Sequence, residues 1–133
     1  MKKDSLNIEL LVKYWLDSSE EELKTMNNLF NSGDYNWSLF LGHLVLEKLL
    51  KALYVKKMMD TPPFTHDLLR LAQLTGIEPD EEKSEKFDTI SSFNINSRYD
   101  DYKQQFRKIC TPEFTENWLK EIKDLRNWLI QQL

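Results

Sequence analysis

Hydrophobic residues recur along this chain at the three- and four-residue intervals of amphipathic helices. One such series runs from Ile8 to Phe30, and the segment Asn31-Ser32-Gly33-Asp34 ends it, with Gly33 suited to a left-handed cap. From about Tyr35 to Met59, large apolar residues point instead in almost every helical direction. A helix that is apolar all round is expected to be the central, buried element of its domain.

Further helices are predicted beyond the stop signal Pro62-Pro63. Their expected bounds are His66 to about Thr75, with Thr65 as the cap, Pro79-Asp80 to roughly Phe93, and Thr111 to Leu133. The segment from Asn94 to Cys110 fits a helix and a loop equally well. The pattern therefore predicts an all-α chain, most simply an up-and-down bundle of four to five helices.

Composition agrees with that class and limits the functions. The 133 residues suit a single domain spanning 1–133, and only 3 Gly and 4 Pro leave few turns. The lone Cys110 suits a reducing compartment. Met1-Lys2-Lys3-Asp4 is too short and too quickly polar for a signal peptide, and no charge-free stretch reaches membrane-spanning length. We therefore expect a cytoplasmic protein with no membrane partner.

Several kinds of site are excluded by the residues available. The three glycines stand alone at 33, 42 and 76, so there is no glycine-rich phosphate loop. One cysteine and two histidines give no zinc motif, and we expect neither a metal nor a cofactor. The net charge of −4 argues against a generally basic surface, although a local basic groove remains compatible with it.

The central helix carries the first candidate site. His43, Glu47 and Lys51 recur at intervals of four along one stripe, and Lys48 flanks them. Placing ionisable groups against a core is costly unless they are paired or face a cleft. The stripe is either a solvated strip between two helices or an anion site, in which Glu47 orients Lys48 and Lys51.

Two further candidates lie downstream. His66, at a helix start, could titrate near neutral pH or meet an anion there, or could only fix the connection after the prolines. Arg98, next to Tyr99, is a natural phosphate or base contact because guanidinium is planar and always charged. Arg98 could equally pair with Glu47 or Asp100 and hold its segment against the bundle.

Taken in order, these segments resemble the HEPN domain family over nearly the whole chain. The matching segments are Tyr14-Trp15-Leu16, Gly33-Asp34-Tyr35, Glu47-Lys48-Leu49-Leu50-Lys51-Ala52-Leu53, Thr65-His66-Asp67-Leu68, Ser97-Arg98-Tyr99 and Leu125-Arg126-Asn127-Trp128-Leu129. The resemblance implies a four- to five-helix up-and-down bundle, commonly a homodimer, often encoded with a minimal nucleotidyltransferase as a toxin–antitoxin pair. Many such domains are metal-independent ribonucleases, and the branch with an Arg-Tyr motif is thought to bind nucleotides or other anionic ligands.

The chain departs from the family's ribonuclease pattern, in which a histidine follows an arginine by four to six residues. No histidine follows Arg98 at that spacing, so binding is favoured over catalysis. The favoured hypothesis is a module that binds a nucleotide or nucleic-acid phosphate and pairs with a protein partner. Its expected ligand-binding residues are Glu47, Lys48, Lys51, His66, Arg98 and Tyr99. The alternatives are a metal-independent endoribonuclease that uses Arg98 and His66, and a ligand-free helical dimerisation protein.

Overall fold

Six α-helices make up the computed structural model, which describes residues 7–133. In chain order they are α1 (Ile8–Asn31), α2 (Tyr35–Met58), α3 (Leu68–Leu74), α4 (Glu81–Arg98), α5 (Asp100–Ile109) and α6 (Pro112–Gln131). The predicted all-α helical bundle is confirmed, with one helix more than the four to five expected. The Met1–Asp4 segment considered as a signal peptide lies outside the described residues. No helix in the described range is long and apolar enough to cross a membrane.

The second helix is the central element of the bundle, as its apolar pattern predicted. Fourteen of its 24 residues are buried, and α1, α3, α4 and α6 all contact it. Gly33 has φ +84° in the three-residue turn that reverses the chain from α1 into α2, which confirms its predicted left-handed role. The α2 and α4 helices run in opposite directions, since Ser97 near the end of α4 donates to the carbonyl of Asn36 at the start of α2.

Gly42 lies where α1 and α6 both approach α2 closely. A Cβ atom added there would lie 2.5 Å from Ile122 Cδ1 and 3.3 Å from Met26 Sδ. The absence of a side chain at Gly42 therefore lets residues of both α1 and α6 pack against α2. Buried hydroxyls join α1 and α2 in the same region: Ser19 Oγ donates to the Val45 carbonyl at 2.7 Å, and Ser38 Oγ donates to the Met26 carbonyl at 2.8 Å.

Two boundaries differ from the sequence-based expectation. The third helix begins at Leu68, because the Asp67 side chain, and not Thr65, accepts from a first-turn amide, that of Arg70, at 3.1 Å. The ambiguous segment 94–110 is helical almost throughout. Tyr99 interrupts it with an extended backbone (φ −82°, ψ 133°), which separates α4 from α5.

Tertiary contacts explain why the segment 94–110 is helical. Phe93 on α4 stacks against Phe106 on α5, with ring centroids 5.5 Å apart, and both side chains are buried. The chain turns at Tyr99 so that α5 can fold back over the α4 aromatic. Arg98 ends α4, and Ser97 directly before it bonds to the Asn36 carbonyl at the start of α2.

Candidate functional site

Three ionisable side chains form a buried stripe along α2. His43, Glu47 and Lys51 are spaced by four residues, so they lie on one side of the helix. Their exposed fractions are only 0, 3 and 7% respectively. Charges buried to this degree persist only when partners compensate for the lost hydration. Glu47, in the middle of the stripe, has a partner on each carboxylate oxygen.

The Glu47 carboxylate joins α2 to the segment that leads into α3. His66 Nδ1 donates to Glu47 Oε1 at 2.8 Å, and Lys51 Nζ donates to Oε2 at 2.9 Å. Burial alone would raise the pKa of Glu47, but the hydrogen bonds from His66 and Lys51 outweigh burial and bring the pKa below its ordinary value. Glu47 is therefore a fixed negative charge at neutral pH.

His43 holds the backbone of His66. Its Nε2 lies 2.8 Å from the His66 carbonyl oxygen and donates to it. Burial is the main cause that lowers the pKa of His43, so its ring is neutral at pH 7 and carries its proton on Nε2. His66 is thus fixed by α2 at two points, through its ring and through its main chain.

His66 presents its outer edge to solvent. The side chain is 49% exposed, and its Nε2 has no hydrogen-bond partner among residues 7–133. Because the Nδ1 proton is committed to Glu47, Nε2 is the atom that accepts a proton from, or donates one to, anything that approaches. The arrangement of a buried carboxylate, an oriented imidazole and an outward Nε2 suits both anion binding and proton transfer.

Two aromatic residues enclose Lys51 and were not anticipated from the sequence. Lys51 Nζ lies 5.1 Å from the ring centroid of Trp15 and 5.8 Å from that of Phe64. The Phe64 ring is 95% exposed and lies 6.1 Å from the His66 ring. The only sequence signal for Phe64 was its position directly before Thr65-His66. Its exposed face, next to an exposed imidazole, offers a flat ligand something to stack on.

Arg98 is the last residue of α4, and Tyr99 directly follows it. Arg98 Nε donates to Asn94 Oδ1 at 2.7 Å, and the guanidinium carbon lies 5.5 Å from the Tyr99 ring centroid. The charge of Arg98 reaches His43, where it contributes to the lowered pKa. The terminal guanidinium nitrogens bond to no residue in the range 7–133, so Asn94 fixes the group and leaves its donors available.

The two lysines of the sequence-based site have different environments. Lys51 is enclosed and its ammonium is bound to Glu47, so it neutralises the buried carboxylate. Lys48 points away from that cluster and pairs with Glu22 on α1 at 2.8 Å. The structure therefore brings Glu47, Lys51 and His66 into contact, and leaves Lys48 on a different side of α2.

Metal ligands do not cluster in the part of the chain that the structure covers. No group of three or more histidine, cysteine or carboxylate side chains among residues 7–133 could hold a metal ion. Cys110 is buried alone, and burial raises the pKa of its thiol to about 12.

The protein is a small all-α helical bundle with a polar face beside its central helix, where hydrogen bonds fix His66 and Arg98. The family model for the HEPN domain matches residues 12–133, so the chain belongs to the HEPN domain family. The protein TT1696 from Thermus thermophilus has a similar structure, with a TM-score of 0.79 and 19% sequence identity over 92% of this chain and 98% of that one. At this identity the likeness concerns the fold. A search of curated proteins found no significant match.

Proposed function

We propose that this HEPN module binds a phosphate group of a nucleotide or RNA on the face formed by His66, Arg98 and Tyr99. The Arg98 guanidinium supplies donors, and His66 adds an N–H at Nε2 in its doubly protonated form. Tyr99, which is 51% exposed, supplies a stacking surface for a base. Glu47 fixes the His66 ring and Lys51 holds the Glu47 carboxylate, so both residues position His66 without contacting the phosphate. The observation that carries the proposal is the anchoring of His66 by Glu47 and His43 on α2, the helix against which Ser97 also holds the end of α4.

Lys48 has a secondary place in this proposal. Its ammonium is engaged with Glu22 on a different side of α2, so it does not contact the phosphate. The sequence-based set of six ligand-binding residues therefore divides in three, with Lys48 outside the site. His66, Arg98 and Tyr99 contact the ligand, whereas Glu47 and Lys51 position His66.

Binding is tested with AMP and with a fluorescein-labelled single-stranded RNA hexamer, by calorimetry and fluorescence anisotropy respectively. Arg98→Ala removes hydrogen bonds to a charged group, so we expect affinity for both probes to fall roughly 10- to 100-fold. Lys120→Ala on α6 is the matched control, because it removes the same charge from an exposed pair with Asp124. Equal affinities of the Arg98→Ala and Lys120→Ala variants would refute the proposed site.

A second candidate function, metal-independent RNA cleavage, is favoured by one observation. Glu47 holds the Nδ1 proton of His66, which is how a carboxylate orients a histidine base. In that reaction Nε2 would take the proton of a 2′-hydroxyl as the 2′ oxygen attacks phosphorus to form a 2′,3′-cyclic phosphate. The bond from phosphorus to the 5′ oxygen would break, and the leaving 5′ oxygen would take a proton from water. Arg98 would stabilise the charge that develops on the phosphate. The missing histidine after Arg98 keeps this function second.

The two functions are separated by a pair of substitutions at one position. The His66→Asn variant has an amide near the position of Nδ1 and lacks the outward nitrogen. The His66→Gln variant has an amide near the position of Nε2, but an amide cannot act as a base. Cleavage by the wild type and by neither variant would support catalysis. Binding by the wild type without cleavage would leave the module as a binder.

We further propose that the protein works in the cytoplasm as a homodimer and that it pairs with a protein partner, for which a minimal nucleotidyltransferase is the candidate. Family membership supports this, and so do Leu10 and Tyr14, one turn apart on α1, which are 62 and 60% exposed. Light scattering measures the dimer, and co-purification with a nucleotidyltransferase encoded next to it tests the pairing. A monomer at micromolar concentration would rule out the homodimer, and separate elution of the two proteins would rule out the pairing.

A further inference from the structure

A second polar cavity lies at the start of α2, outside the face described above. Its volume is about 320 Å³, and it is bounded by the turn from Gly33 to Asn36 on one side and by Arg107 and Cys110 at the end of α5 on the other. No step of the proposed function uses it. Most of its polar groups are hydrogen-bond donors that have no acceptor among the described residues.

The buried donor is the Asn36 side chain. Asn36 lines the cavity and is 4% exposed, yet its Nδ2 has no hydrogen-bond partner among the described residues. Buried amide groups are nearly always satisfied, so an orphaned NH₂ at a cavity wall indicates that an acceptor belongs there. The first backbone bond into α2 comes from Ser38, which leaves the earlier amides of the helix free to donate in the same direction.

Arg107 supplies the charge. Its side chain is exposed and makes no ion pair or hydrogen bond with any residue from 7 to 133. One acid, Asp34, also lines the cavity; it accepts a hydrogen bond from Ser32 Oγ at 2.8 Å and does not cap the helix. A guanidinium, an amide and a helix start set against one carboxylate suit a ligand with a single negative charge better than one with two. An internal phosphodiester has one charge, and a terminal phosphate has up to two.

The cavity is connected to the first site by one face of α5. Tyr99, Lys103 and Arg107 are spaced by four residues, so they follow each other along that face. Lys103 Nζ pairs with Asp100 at 3.7 Å and lies 6.0 Å from the ring centroid of Trp37 in the first turn of α2. A basic and aromatic track of this kind is what single-stranded nucleic acid follows.

We propose that this cavity is a second phosphate site, and that the ligand of the protein is single-stranded RNA several nucleotides long. One phosphate would lie at His66 and Arg98, and an internal phosphodiester would lie between Asn36 and Arg107. Asn36 and His43 are on the same side of α2 and seven residues apart, which is about 10 Å along the helix axis. Two phosphates bound at two separate places belong to different nucleotides of one strand. The inference therefore names the substrate class of the proposed function and rests on it.

The test compares AMP with the labelled RNA hexamer for Arg107→Ala and for Lys108→Ala, which removes an equal charge from the adjacent residue outside the cavity. We expect Arg107→Ala to weaken hexamer binding about tenfold relative to Lys108→Ala, and to leave AMP binding unchanged. The slope of log affinity against log salt concentration should fall by about 0.7, the value for one phosphate contact on a single strand. Asp34→Asn should strengthen hexamer binding several-fold, because it removes the opposing carboxylate.

The outcomes separate this inference from the function on which it rests. Equal hexamer affinities for the Arg107→Ala and Lys108→Ala variants, or no gain with Asp34→Asn, would overturn the second site. If Arg98→Ala still weakened AMP binding in that case, the first site would stand alone as a mononucleotide site. If the wild type bound neither probe, both the second site and the proposed function would fall.

Discussion

His66 donates its Nδ1 proton to Glu47 across 2.8 Å, and the same carboxylate accepts from Lys51 through its other oxygen. One buried side chain therefore serves two purposes: it balances the charge of a lysine enclosed by the bundle and sets the orientation of an exposed imidazole. The stability of the α2 stripe and the chemistry of the outer face consequently depend on the same group. The effect of a substitution in the stripe should therefore be measured both on the free energy of unfolding and on ligand binding.

The first prediction concerns the charge of Glu47. Glu47→Ala leaves the Lys51 ammonium buried without its partner, so we expect the free energy of unfolding to fall by roughly 3–5 kcal/mol. Urea unfolding followed by tryptophan fluorescence measures it. The exposed pair of Lys13 and Asp17 provides the control, since Asp17→Ala should cost no more than about 1 kcal/mol. Similar losses in the two variants would show that burial of the Glu47 pair has no energetic importance.

A second prediction concerns pH and His43. Burial lowers the pKa of His43 from 6.5, so below pH 6.5 the unfolded chain takes up a proton there before the folded chain does. The contribution of His43 to stability is therefore complete above pH 6.5 and is lost as the pH falls towards the folded-state pKa. His43→Gln keeps an N–H donor near the position of Nε2 but cannot titrate. Thermal unfolding between pH 7.5 and 5 should decline less steeply in the variant; parallel declines would contradict the assignment.

The carboxylate of Glu47 acts in a more acidic range. Its pKa lies below 4.5, so its contribution is present above that pH and is lost only as the pH falls through the lower, folded value. As the pH falls, the loss of stability due to His43 therefore begins about two pH units higher than the loss due to Glu47. The two groups can be distinguished in one titration series.

The third prediction concerns the helix contact at Gly42. Gly42→Ala adds a Cβ atom that meets Ile122 Cδ1, and overpacking of this kind costs roughly 1–3 kcal/mol, more than the helix propensity gained. Ile122→Val removes that Cδ1 atom. In a double-mutant cycle the two changes should therefore be less damaging together than the sum of their separate effects. Additive losses would mean that Gly42 is present for another reason.

A fourth prediction concerns Cys110. Its side chain is 5% exposed, and burial raises the pKa of the thiol to about 12, so the native protein holds almost no thiolate at pH 8. Iodoacetamide should modify it slowly in buffer and rapidly in urea. Because the chain has one cysteine, mass spectrometry reports a single shift. Fast modification of the folded protein would contradict the burial.

The central helix could be predicted from sequence because all of its signals are local. Its apolar residues surround the axis, Gly33 precedes it and Pro62-Pro63 follow it. The spacing of His43, Glu47 and Lys51 places them on one side of any helix. These features depend on the geometry of one element alone, so the sequence was enough.

The contacts of the site depend on elements far apart in the chain. Lys48 is one residue from Glu47, yet it pairs with Glu22 because α1 lies on that side of α2. His66 reaches Glu47 only through the path of the connection after Met59, which has φ 57°. Periodicity shows which residues share a helix face, but the neighbour opposite that face is decided by packing.

The three-residue turn between α1 and α2 also bears on how quickly parts of the protein form. These two helices are adjacent in sequence, so bringing them together closes a short loop and costs little chain entropy. His66 and Arg98 come from later segments and are separated by 32 positions. We expect the α1–α2 hairpin to form early in folding and the proposed phosphate-binding face to be completed late. An incompletely folded chain would then have a stable core but no functional surface.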